Sequence, residues 1–234
     1  MVFNISRLIS GLTILSICIS SFYFNFDFYF ISIVSLLIAF ECYKNNFIEK
    51  KSIFYILFFL SFFIIFHFSN FNNIFLFIFL VIALFLSIKY QHNHLFLIFL
   101  IILFIYSSVI ILMTDRYYFY LLLLISFIND STAYIFGNLL KGPKIIPSIS
   151  PNKTWSGTSI SFLISLLMLL LILDLNIIFC IFISSLFFLG DIYFSLIKRK
   201  NNIKDFSNLI PGHGGILDRV DSFLFPLIVI SLII

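Results

Sequence analysis

The chain is a succession of apolar runs, roughly 15 to 20 residues each, closed by short polar breaks. The runs fall near 8–24, 28–43, 53–69, 73–89, 94–113, 117–137, 155–173, 177–197 and 217–234. A bilayer core about 30 Å thick is crossed by about 20 helical residues. No globular core of this chain length could bury so many such runs. The pattern predicts an all-α integral membrane protein, a polytopic bundle of about nine transmembrane helices. Most breaks are too short to hold a soluble domain, and no internal repeat or low-complexity linker interrupts them.

The last run needs one adjustment. Its purely apolar part, 223–234, makes a helix of about 18 Å at 1.5 Å per residue, too short to cross. Starting the helix near Leu217 lengthens it to about 27 Å. Asp218 and Asp221 then lie one turn apart on one face, at the end where the helix enters the membrane.

Composition sharpens this picture. Of 234 residues 62% are hydrophobic and 10% charged, against about 25% charged in soluble domains. The abundance of Phe and Ile, with Asn and Lys in the breaks, fits an A/T-biased coding sequence. Residues that resist the bias are more informative, and most of the Gly and Pro and the lone Trp155 lie beyond Asp130. Cys18, Cys42 and Cys180 show no pairing or metal-ligand spacing and read as small core residues. Leu15-Ser16-Ile17-Cys18 has bulky Ile17 where a lipoprotein cleavage box wants a small residue. The first run is therefore expected to be a retained anchor.

Charge sets the orientation. With an odd number of spans and a cytoplasmic N-terminus, Arg7, Lys44, Lys50, Lys51, Lys89, Lys141, Lys144, Lys153, Lys198, Arg199, Lys200, Lys204 and Arg219 all face the cytoplasm. Of the 14 basic residues only Arg116 falls outside. That is a strong positive-inside pattern. The outer breaks carry Asp27, Asn70, Asn72, Asn73, Asp115, Asp174 and Asn176. The longest inner breaks, 138–154 and 198–216, hold four of the eight Gly and four of the five Pro. The chain accordingly divides into N-terminal transmembrane helices, 1–116 with about five spans, and a C-terminal catalytic region, 117–234.

Chemistry is expected between those last helices, on the cytoplasmic face. An ionised Asp inside a span is costly and usually functional. Asp130, Tyr134 and Gly137 share a helix face, as do Asp191, Ser195 and Lys198; a structural helix–helix hydrogen bond is the alternative for each Asp. Asp191 lies toward the same end of its span as Asp218 and Asp221, so three carboxylates can converge beside a basic loop. Such a set suits a divalent cation with hard oxygen ligands, such as Mg²⁺, together with phosphates. Lys198, Arg199 and Lys204 would offset phosphate charge, although a basic inner loop alone needs no ligand. Pro211-Gly212-His213-Gly214-Gly215 would let backbone N–H groups approach an anion closely, or serve as a flexible turn. Lys153 and the hydroxyls of Ser150-Pro151-Asn152-Lys153-Thr154-Trp155-Ser156-Gly157 could meet a phosphate, with Trp155 as interfacial anchor. His92 and His94 have no acid or Cys nearby and read as loop residues; His67 receives no role.

These residues resemble one family, the phosphatidate cytidylyltransferases, or CDP-diacylglycerol synthases. Its C-terminal pattern is Ser, two residues, Lys-Arg, four residues, Lys-Asp, then His-Gly-Gly, two residues, Asp-Arg, one residue, Asp. Here it stands from Ser195 to Asp221 as SLIKRKNNIKDFSNLIPGHGGILDRVD, with every fixed position filled. NDSTAYIFG (129–137) and SPNKTWSG (150–157) are similar to two further family segments. Asn138, the order Lys141-Gly142 and Ser156 depart from the family pattern. The first five spans match in hydropathy alone.

The resemblance implies a wholly helical homodimer with lipid entry from the bilayer. It implies a catalytic set of Asp191, Asp218, Asp221, Lys204 and His213, with Asp191, Asp218 and Asp221 holding Mg²⁺, with or without a second, monovalent ion. The nucleotide and phosphate set is Asp130, Lys153, Ser195, Lys198, Arg199, Gly212, Gly214, Gly215 and Arg219. The reaction implied is transfer of CMP from CTP to phosphatidic acid, giving CDP-diacylglycerol and pyrophosphate for phospholipid biosynthesis. The partners are CTP, phosphatidic acid, membrane lipid and a second copy, with no nucleic acid. The place is the cell (inner) membrane, multi-pass, with the active site on the cytoplasmic side. A CTP-dependent kinase of a membrane alcohol, dolichol or phytol kinase-like, is the nearest alternative; an ion-coupled transporter is the more distant one.

Overall fold

The computed structural model describes residues 5–45, 93–173, 175–210 and 214–233. Their regular structure is helical, with two isolated bridges, Lys144 with Thr154 and Ile210 with Gly214. The helices are α1 (Ile5–Phe24), α2 (Asp27–Lys44), α3 (Asn93–Leu140), α4 (Trp155–Ile172), α5 (Ile177–Lys200) and α6 (Leu217–Ile233). The runs expected at 53–69 and 73–89 lie outside the described residues, as do Lys50, Lys51, His67, Lys89, His92, Asp174, Gly212 and His213. Every other expected run coincides with a helix. Those at 94–113 and 117–137 both fall within α3, which breaks at Asp115 (φ −152°, ψ 105°). There the Asp115 carboxylate accepts a hydrogen bond from the Tyr117 N–H at 2.9 Å and caps the second stretch.

Among the described residues three helices are long and apolar enough to cross a membrane: α3 from Leu100 on, α4 and α5. Their packing follows membrane rules. On α4 the small residues Gly157, Ser161 and Ser165 are buried with Leu169, while Leu163, Leu167 and Leu171 are exposed. Helices packed in lipid bury small residues because these let backbones approach closely; leucine loses nothing by facing acyl chains. The buried face of α5 repeats at 3.6-residue spacing from Cys180 through Ile183, Phe187, Gly190 and Phe194 to Lys198. The described residues are thus those of a helical membrane protein.

The described residues fall into two compact units. One comprises the chain up to Thr114 with Phe206–Ile216 and Ile230–Ile234; the other comprises Asp115–Asp205 with Leu217–Val229. In the first, α1 and α2 pair through a tight turn with Asn25 in the left-handed region (φ 59°), a conformation Asn tolerates better than most residues.

In the second unit, glycines bring helices unusually close. A Cβ at Gly157 would collide with the Ala133 carbonyl and stand 3.0 Å from the Gly137 backbone. A Cβ at Gly190 would collide with the Asp221 carbonyl. The first contact fixes α4 against the end of α3, and the second draws α5 onto the start of α6. Those are the ends that carry the acids and bases.

Candidate active site

The second unit gathers its polar residues from four places. Asp130 comes from α3, Lys153 from the loop before α4, Asp191, Ser195 and Lys198 from α5, and Asp218, Arg219, Asp221 and Ser222 from α6. The loop is a compact finger. Its ends pair at Lys144 and Thr154, with the Ile145 N–H on the Lys153 carbonyl (3.1 Å) and the Trp155 N–H on the Pro143 carbonyl (2.9 Å). Thr154 caps α4 by accepting from the Gly157 N–H at 3.3 Å, and Ser156 Oγ accepts from the Gly142 N–H at 3.2 Å. The Arg199 Nε–H donates to the Ile149 carbonyl at 3.0 Å and so ties the finger to the end of α5.

Held in this way, Lys153 forms an ion pair with Asp191, and its ammonium lies 5.5 Å from the centre of the Phe188 ring. Ser195 Oγ stands one turn along α5 and donates to the other Asp191 oxygen at 3.5 Å. A second ion pair, Lys198 Nζ to Asp218 Oδ1 at 2.7 Å, joins α5 to α6, with both side chains nearly buried. Asp221 is buried; its Oδ1 accepts from the Ser222 N–H at 2.8 Å. Ser222 Oγ lies 3.2 Å from Asp130 Oδ2 and 2.8 Å from Ser126 Oγ, a buried run of hydroxyls that ends on the Asp130 carboxylate. Asp221 feels the charges of Asp191, Lys198, Asp130 and Asp218. Asp130 feels those of Asp191, Arg219 and Lys153. The eight groups Asp130, Lys153, Asp191, Ser195, Lys198, Asp218, Arg219 and Asp221 therefore form one electrostatic cluster.

Other expected residues lie elsewhere. Arg199 is exposed, and its donors go to the carbonyls of Ile149 and, at 3.4 Å, Ile203. Lys204 is exposed and forms no ion pair with a described residue. Gly214 (φ 80°) and Gly215 belong to the first unit. There the segment meets a residue that spacing alone did not single out. Glu41 of α2 is fully buried and accepts from Ser207 Oγ at 2.6 Å and from the Ile216 N–H at 2.7 Å.

Among the described residues no three His, Cys, Asp or Glu side chains form a ready cation cage. Asp191 and Asp218 are each engaged by a lysine instead. The donor set still suits a hard divalent cation. Mg²⁺ takes one or two carboxylates and completes its shell from water and substrate phosphate oxygens.

Fold and cluster together define a class: a helical membrane protein with acids and lysines from several helices gathered at one polar site. Comparison with known proteins then gives the family. The model of the cytidylyltransferase family matches residues 4–234, so the chain belongs to that family. It is 41% identical over 120 residues to the phosphatidate cytidylyltransferase of Staphylococcus saprophyticus, covering 47% of this chain and 46% of that one. It is 36% identical over 135 residues to that of Rickettsia conorii (51% and 58%), and 43% identical over 105 residues to that of Bacillus subtilis (41% and 39%). The chain spans about half the length of the curated relatives it matches.

Proposed function

We propose that this chain is a phosphatidate cytidylyltransferase, transferring CMP from CTP to phosphatidic acid with release of pyrophosphate. The observation that carries this reading is the pairing of Lys153 with Asp191 and of Lys198 with Asp218 in one cluster, within a chain of the cytidylyltransferase family. Two ammonium groups and an arginine can bind the phosphates of two anionic substrates, and the neighbouring carboxylates can hold the cation that accompanies CTP. A site at the mouth of a membrane helix lets acyl chains stay in lipid while the nucleotide arrives from water.

The phosphatidic acid phosphate is itself the nucleophile. Phosphate monoesters lose their second proton near pH 6, so no strong general base is required at neutral pH. Its oxygen forms a bond to the α-phosphorus of CTP as the bond to the pyrophosphate oxygen breaks in line. Lys153 and Lys198 leave their carboxylates for the arriving phosphates. Asp191, Asp218 and Asp221 would hold Mg²⁺, with or without a monovalent companion. Bound there, the cation offsets the charge of the triphosphate and of the leaving pyrophosphate. Arg219, Ser195 and Asp130 orient substrate, and Lys204 and Arg199 add positive charge for the nucleotide. The working unit is a homodimer of nine-span chains, N-terminus in the cytoplasm. Residues 117–234 form the catalytic region, with inner loops 138–154 and 198–216, in the cell membrane.

The test uses purified protein in detergent with phosphatidic acid, α-labelled CTP and Mg²⁺. The expected result is label in the lipid phase, pyrophosphate release, and loss of both on adding EDTA. Label left in water as CDP would replace this reading with a CTP-dependent kinase or a hydrolase.

A further inference from the structure

Two acids of the cluster are bonded to one residue of the same compact unit, Ser222 of α6. Its N–H donates to Asp221 Oδ1 at 2.8 Å, and its hydroxyl donates to Asp130 Oδ2 at 3.2 Å. A serine has one hydroxyl proton. With that proton on Asp130, the 2.8 Å bond between Ser126 Oγ and Ser222 Oγ is donated by Ser126. The run therefore has a direction, from Ser126 through Ser222 to the Asp130 carboxylate, and each bond polarises the next. Ser222 has no exposed surface and Ser126 is buried, so water competes little for either hydroxyl.

What the run adds can be separated from helix docking. Ser126 and Asp130 stand at i and i+4 on one face of α3, and Phe119 lies on that face two turns before Ser126. Phe119 meets Phe223, the neighbour of Ser222, edge to face, with ring centroids 5.4 Å apart. Both rings are buried, so this contact holds α3 against α6 whether or not the hydroxyls are present. Asp221 feels the charge of Asp130, and like charges in an apolar setting stay together only with donors or cations to serve them. We infer that Ser222, backed by Ser126, is a positioning residue for the reaction: its two donors hold the carboxylates of Asp130 and Asp221, from different helices, in one fixed arrangement. The inference rests on the cytidylyltransferase reading for its kinetic part. A plain bond between helices accounts for the two hydroxyls. It gives no reason for the run to end on one acid of the cluster while the same residue holds a second.

The experiment compares full-length wild type with Ser222→Ala, Ser126→Ala, Asp130→Ala and the double variant Ser222→Ala/Asp130→Ala in detergent. Ser185→Ala is the control, since the Ser185 hydroxyl serves the Phe182 carbonyl of its own helix. Two readouts are taken: the thermal midpoint, and kcat and KM for CTP and phosphatidic acid per folded protein. Ser222→Ala leaves the Asp130 carboxylate without its donor and should lower the midpoint. Once Asp130→Ala has removed that carboxylate, the same change should lower it much less. In turnover, Ser222→Ala should lower kcat about ten- to hundredfold with both KM values within about threefold. Ser126→Ala, which touches the acid only through Ser222, should lower kcat severalfold. Equal midpoint losses with and without Asp130, or a Ser222→Ala kcat within about twofold of wild type, overturn the proposal. If Ser222→Ala does not fold, Ser126→Ala decides: a severalfold lower kcat supports it, and a wild-type kcat overturns it. A wild type without turnover sinks the cytidylyltransferase reading instead, and the hold of Ser222 on Asp130 is then judged on the midpoints alone.

Discussion

Lys198 and Asp218 are both nearly buried, 2.7 Å apart, and they join two helices. Removing one partner of such a pair leaves a charge stranded in an apolar setting, which costs about 3–5 kcal/mol. Lys198→Met should therefore lower the thermal midpoint in detergent sharply, and adding Asp218→Asn should restore most of it while turnover stays absent. A double variant no more stable than the single one would contradict a net ionic contact. Asp221→Asn removes charge without stranding a cation. It should insert and fold normally yet lose activity by about a hundredfold or more, as loss of a group that acts on developing charge does. The sequence made these residues visible because charge inside an apolar run has no cheap structural explanation. Glu41 stayed hidden at this scale because its run ends Glu41-Cys42-Tyr43-Lys44 and reads as ordinary interface charge. Its partner Ser207 lies 166 residues away, a separation no spacing rule reaches. Arg199 was legible as a cation, but a carbonyl at Ile149 has no sequence signature that could name it as the acceptor.

Between elements, the glycine contacts decide whether those residues meet. Gly190 is followed directly by Asp191, and a Cβ at Gly190 would collide with the Asp221 carbonyl. Gly190→Ala must push α5 from α6, with overpacking of about 1–3 kcal/mol and a misplaced acid pair. Activity should fall more steeply than folded yield, and equal falls would assign the glycine to packing alone. The end of α3 offers the opposite case. Lys141 follows Leu140 in the left-handed region (φ 47°), where a Cβ costs roughly 1 kcal/mol. Lys141→Gly should raise the thermal midpoint by a few degrees. Gly142→Ala should not, because its Cβ would meet Ser156 Oγ at 2.6 Å. The reversed order of these two residues relative to the family thus has a local conformational cost. Helix limits were legible from polarity, as at the break at Asp115, and from span length, as at the start of α6 at Leu217. The finger of 141–154 was not, because it is held mainly by backbone hydrogen bonds, which any side chains could flank. Nor was the grouping of Phe206–Ile216 with the N-terminal helices, where Glu41 and Asn45 bond residues far along the chain.

For the whole molecule, orientation is the property on which the proposed reaction depends most directly, since CTP is a cytosolic solute too charged to cross lipid. Nine spans with the N-terminus inside would put 13 of 14 basic residues on one side. Cysteine labelling can read this cleanly, because the native thiols Cys18, Cys42 and Cys180 are all buried. Single exposed positions supply the probes: Lys144→Cys and Lys200→Cys for the inner breaks, Phe26→Cys and Tyr117→Cys for the outer ones. In right-side-out vesicles an impermeant maleimide should label the positions at 26 and 117 at once, and those at 144 and 200 only after the membrane is opened. The complete reverse would place the acid and lysine cluster where no CTP exists, and the proposed reaction would fall with it. Labelling of 117 and 144 from the same side would instead mean that α3 does not cross where its break at Asp115 and its end at Leu140 say it does. The parity of nine spans would then fail while the local geometry of the cluster stood.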